Sequence, residues 1–145
     1  MRFSVTHFNT LKELFPPGIY NICKTKSKSD ECVCEDEDGL ILVEHPFEKS
    51  LFQLEYNIYS DEGTFSLLSL ENGLKVGWKT DQIGSFEGTP TAKFEFYDVD
   101  PSENNAITLR IVNKQWEFVC LSYGCSISAG SYQSGAIKLN FIKVE

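Results

Sequence analysis

Apolar and polar residues alternate in short runs from Gly18 onward, and the runs recur at steps of a little over forty residues. Tyr20 and Ile22 in GIYNI are matched by Phe65 and Leu67 in GTFSLLS, then by Leu109 and Ile111 in ITLRI. Phe52 and Leu54 in LFQLEY are matched by Phe94 and Phe96 in KFEFY, then by Leu139 and Phe141 in IKLNF. Between these outer pairs lie two further columns, Val33/Val76/Phe118 and Ile41/Ile83/Ile127. Alternation with period two predicts half-buried strands. Each unit therefore reads as four strands, and three units as twelve, over residues 18–60, 61–104 and 105–145. A repeat of this length is one supersecondary piece that cannot bury its apolar face without its neighbours.

Turn chemistry separates the runs. Asp38-Gly39, Asn72-Gly73 and Asp61-Glu62-Gly63 predict tight connections whose glycines supply positive φ. The lead-in, residues 1–17, reads differently. Thr10 and Glu13 have the spacing of a capping box, Leu11, Leu14 and Phe15 are apolar, and Pro16-Pro17 stops any helix. A short helix or turn that docks on the strands is expected there.

Composition narrows the class without changing the picture. A chain of 145 residues, 41% apolar and 23% charged, fits one globular domain. Its formal charge of −8 argues against sequence-independent binding to nucleic acid or anionic lipid. No run approaches the roughly 18 apolar residues of a membrane span, and the start of the chain has no apolar stretch of the kind a secretory leader carries. The cysteine count is odd at five, which predicts free thiols in a reducing compartment. A cytoplasmic location follows as the expectation. Cys120 and Cys125, flanking a turn, are the pair placed best for a disulfide if one forms.

Candidate chemistry is sparse. His7 and His45 are the two histidines, in separate segments, and no nucleophile elbow, HExxH pair or phosphate loop accompanies them. No catalytic residue and no cofactor is expected. Cys23 with Cys32-Val33-Cys34 lacks the usual zinc spacing, so free thiols are favoured over metal. Glu35, Asp36, Glu37 and Asp38 lack the ligand order of a calcium loop and read as a solvated turn. Lys24, Lys26 and Lys28 form the basic cluster of the first inter-strand loop, suited to an acidic protein partner. Trp78 with Asp81 and Gln82 offers a stacking ring beside hydrogen-bonding groups, suited to a glycan, although core or rim packing is the favoured reading of Trp78.

Three four-stranded units of this length resemble the β-trefoil, which implies a closed six-stranded barrel capped by three hairpins. A lipocalin-type calyx would instead show a long meander without the period. Within the trefoils, Phe65 to Trp78, Phe52-Gln53-Leu54-Glu55 and Phe94-Glu95-Phe96 are similar to the repeats of the fascin and hisactophilin group. The histidine-rich loops of hisactophilin and the Q-x-W signature of ricin-type lectins are both missing. The resemblance implies a non-catalytic binding module, with actin filaments as its most specific protein partner. A lectin, a leaderless interleukin-one-like cytokine and a protease inhibitor are the alternatives.

Overall fold

The computed structural model describes residues 8–25, 30–58, 63–122 and 124–144. It is an all-β protein with one short α-helix, α1 (Phe8–Leu14), 3₁₀ turns at Pro101–Glu103 and Gln133–Gly135, and twelve antiparallel strands among the described residues. The first unit supplies β1 (Gly18–Lys24), β2 (Glu31–Asp36), β3 (Gly39–Glu44) and β4 (Phe52–Tyr56). The second supplies β5 (Phe65–Ser69), β6 (Gly77–Lys79), β7 (Gln82–Gly84) and β8 (Phe94–Asp100). The third supplies β9 (Ala106–Ile111), β10 (Glu117–Ser122), β11 (Ser126–Gly130) and β12 (Lys138–Lys143).

Hydrogen-bonded pairing runs β1–β4–β5–β8–β9–β12 and returns from β12 to β1. Six strands thus close a ring that leaves none of them at a free edge. The other six form hairpins β2–β3, β6–β7 and β10–β11. The hairpins meet one another, since β11 pairs with both β3 and β7.

Register shows where the repeat columns need correction. Phe141 lies opposite Ile22, Leu54 opposite Leu67, and Phe96 opposite Leu109. Leu109 is therefore equivalent to Ile22 and Leu67, and Ile107 to Tyr20 and Phe65. The expected match of Leu109 with Tyr20 and Phe65 is two residues out, because alternation fixes the face of a strand but not its register. Two inner columns shift by one residue. Val119 joins Val33 and Val76, and Leu40 joins Ile83 and Ile127, around a shared apolar centre. Phe118 and Ile41 belong to the opposite faces of their strands. The outer columns Phe52/Phe94/Leu139 and Leu54/Phe96/Phe141 are buried as expected.

One end of the ring is plugged by the lead-in. Leu11 and Phe15 are buried, and the Phe15 ring stacks on Phe96 at 4.7 Å between centroids. Tyr20 donates its hydroxyl to the Pro16 carbonyl at 2.7 Å, and Tyr56 donates to the Phe15 carbonyl at 2.6 Å. These two bonds tie the carbonyls just past the end of α1 to β1 and β4. Burial pushes the Tyr20 phenol up to about 12 and raises that of Tyr56 still further. Thr10 lies inside α1 rather than at its N-cap, so the capping-box reading does not hold.

Candidate functional site

The outer face of β8, β9 and β10 carries an aromatic cluster built around one arginine. Arg110 stands directly opposite Glu95 on β8 and Phe118 on β10, and all three point away from the core by alternation. Its guanidinium donates to Glu95 through Nε at 2.6 Å, with a second contact from the terminal nitrogen. Its Cζ lies 4.7 Å from the ring centroid of Tyr97 and 4.7 Å from that of Trp116. Phe118 meets the Tyr97 ring edge-on at 5.0 Å. Stacking and the ion pair hold the arginine in one geometry, each cation–π contact being worth about 0.5–1 kcal/mol at a surface.

Trp116 is 53% exposed although the Arg110 guanidinium lies over its ring. It lies in the β9–β10 turn, where Gln115 and Trp116 both have left-handed backbone, φ 51° and 57°. Asn104 and Asn105 adopt the same region at φ 57° and 58°, but asparagine tolerates it well. For a bulky tryptophan it costs on the order of 1–3 kcal/mol. The turn is braced by Glu117 N–H donating to the Lys114 carbonyl at 3.0 Å. Nearby, the Tyr97 hydroxyl donates to Gln133 Oε1 at 3.2 Å, and Tyr132 is 78% exposed. Sequence reading missed this surface. Arg110 and Tyr97 occupy outward parities that alternation does show, but their company depends on cross-strand register.

The glycan candidates are divided by the fold. Asp81 and Gln82 line a surface hollow of about 360 Å³ together with Lys79, Thr80, Ser122, Ser128 and Ala129. Trp78 is not part of that lining; it is partly buried against the core. Asp81 accepts from Lys114 Nζ at 3.0 Å, and Gln82 Nε2 donates to the Ile127 carbonyl at 3.3 Å. Burial opposes the charge of Lys114, yet its hydrogen bonds to Glu117 and Asp81 outweigh this and raise its pKa. Of the basic cluster, Lys24 faces Glu31 at 3.9 Å, a long and partly exposed pair that contributes little. Lys26 and Lys28 lie outside the described residues.

The acidic run does not behave as a wholly solvated turn. Asp36, Glu37 and Asp38 are exposed, but Glu35 turns inward. Its carboxylate accepts from Ser69 Oγ at 2.6 Å and from Ser85 Oγ, and Asn72 Nδ2 in turn donates to Ser85 Oγ at 2.7 Å. This network ties the first hairpin to the second unit. Burial raises the Glu35 pKa, the Ser69 bond lowers it, and the Glu71 charge raises it again, leaving it above the usual carboxylate range. With the folded pKa above the unfolded one, the folded chain holds the proton longer as pH rises. Stability therefore falls through that window and is flat on either side. Urea unfolding of wild type and Glu35→Gln between about pH 4 and 7 checks this. The variant should gain on wild type as pH rises; a gain on lowering pH would show that the ionised form is the favoured one.

The thiols depart from expectation. Cys23 and Cys32 form a disulfide with Cα atoms 3.9 Å apart, while Cys34, Cys120 and Cys125 are free. Five free thiols are thus not found, because β1–β2 register sets Cys23 directly opposite Cys32. Cys120 faces Ser128 across its hairpin rather than Cys125. Burial raises the pKa of both Cys34 and Cys120, which makes them poor nucleophiles.

No helix among the described residues is long and apolar enough to cross a membrane. No protein-family model matches the chain, and no curated protein matches it either.

Proposed function

We propose that the chain is a β-trefoil and a non-catalytic interaction module, and that it contacts a protein partner through the Arg110–Trp116–Tyr97–Tyr132 face. The trefoil reading is supported by the closed six-strand ring with one hairpin per unit, and by equivalent apolar triplets such as Ile22/Leu67/Leu109. The observation that carries the binding face is an exposed indole held over a fixed arginine at an energetic cost to the backbone. Costly local backbone clusters at ligand-contact sites, and Trp, Tyr and Arg dominate binding hot spots. A fascin-like attachment to actin filaments from the cytoplasm is the most specific version, with Lys24, Lys26 and Lys28 steering the acidic chain toward an acidic partner.

Filament co-sedimentation tests it with wild type, Trp116→Ala and the triple variant Lys24→Glu/Lys26→Glu/Lys28→Glu. Loss of a hot-spot ring of about 2 kcal/mol should weaken pelleting roughly 30-fold. The charge reversal should abolish it, and wild-type binding should weaken as salt rises from about 50 to 200 mM. Absence of pelleting at low salt overturns the cytoskeletal version. The hollow lined by Asp81 and Gln82 favours a second reading, a glycan ligand. Retention on a glycan array with elution by free sugar would select it.

A further inference from the structure

We propose that Cys23, Cys32 and Asp30 form a redox-gated site for one zinc ion. The fold assembles the three from short-range rules. Cys23 and Cys32 are direct partners in the β1–β2 register. Asp30 precedes Cys32 by two residues, so an extended chain turns both side chains to one face. The Asp30 carbonyl accepts His45 N–H at 2.7 Å, which ties that residue to the end of the β2–β3 ladder.

The ligand atoms already converge. Asp30 Oδ1 lies 3.6 Å from Cys32 Sγ, and the two sulfurs and a carboxylate oxygen all fall within 4.8 Å of one another. Ligands about 2.0–2.3 Å from a tetrahedral zinc are separated by roughly 3.3–3.8 Å. Small side-chain rotations close the cluster onto an ion once the S–S bond is open. Two thiolates and one carboxylate are a borderline-soft set, suited to zinc and poorly suited to magnesium or calcium. Lys49 Nζ sits 3.6 Å from the other Asp30 oxygen, where it orients the carboxylate and offsets the excess negative charge of the filled site. Water completes the fourth position.

Bridge and ion exclude each other, which makes the site redox-gated. Two thiols of the glutathione class open the bridge: the S–S bond breaks, each cysteine regains a proton, and the small thiols leave as their disulfide. Zinc then displaces the two thiol protons and forms two Zn–S bonds and one Zn–O bond. A small-molecule disulfide reverses both steps, consuming two protons, rebuilding the bridge, releasing zinc and regenerating two thiols.

The test is titration of the full chain, reduced and oxidised, with Zn²⁺ against a chromophoric chelator, and with Co²⁺ as the spectroscopic probe. Reduced protein should take up one Zn²⁺ per chain and show thiolate-to-cobalt charge-transfer absorption; oxidised protein should do neither. Cys32→Ser should abolish uptake while Cys34, Cys120 and Cys125 remain as an internal control. Outer-shell partners cost about 10- to 100-fold in metal affinity, and a direct ligand should cost at least as much, so Asp30→Ala should fall in or beyond that range. Asp30 is exposed, so that variant keeps the fold even if a cysteine variant does not. No stoichiometric uptake by reduced wild type, or unchanged affinity in Asp30→Ala, overturns the proposal.

Discussion

Phe96→Ala should lower the free energy of unfolding by about 3–5 kcal/mol, a large share of the stability of a domain this size. Phe96 is 2% exposed and stacks on Phe65 at 4.4 Å and on Phe15 at 4.7 Å, with Phe141 meeting it edge-on at 5.9 Å. Truncation would remove the ring shared by the barrel wall and the lead-in plug. Phe65 and Phe141 belong to hydrogen-bonded strands and cannot collapse into the space, so the cavity cost adds to the lost transfer energy. Urea unfolding measures the change directly. A loss below about 1 kcal/mol would mean that Phe96 does not support the plug.

Gly77→Ala should cost nearly as much, by overpacking rather than by a cavity. A Cβ at Gly77 would stand 1.9 Å from the Pro90 carbonyl oxygen. That oxygen is backbone, and the approach is fixed by the Gly77–Thr91 bridge and by Ala92 N–H donating to the Val76 carbonyl at 3.0 Å. Overpacking typically costs about 1–3 kcal/mol; with backbone on both sides of the clash, the upper end is expected. Gly135→Ala is the control, because its nearest contact would be Cys120 Sγ at an ordinary 3.9 Å. It should change the urea midpoint little. Equal midpoints for the two variants would show that β6 can move away from Pro90.

Alternation made the strands and the buried outer columns legible, because a period of two specifies faces without any knowledge of partners. Register was not legible in the same way. ITLRI offers Ile107/Leu109 and Leu109/Ile111 as equally apolar pairs, and only pairing with Phe96 decides between them. The same gap hid the disulfide, since parity counting and compartment reasoning say nothing of which strand lies beside which. Trp116 was obscured for another reason. A left-handed turn without glycine carries no local signal, so nothing in the sequence around Trp116 marks an exposed turn residue. Glu35 was read with its three acidic neighbours, and its inward turn follows from Ser69 and Ser85, remote in sequence.

Ring closure also bears on how the chain comes off the ribosome. β1 ends at Lys24, yet its long ladder is with β12, which begins at Lys138. Until Lys138–Lys143 has been made, the β1 edge waits without its main partner, and so does the edge of β9 that pairs with the same strand. Contacts so distant in sequence form slowly, and uncovered strand edges invite pairing between nascent chains. The last strand therefore acts as a molecular latch, and cotranslational chaperone engagement should end only after it has emerged.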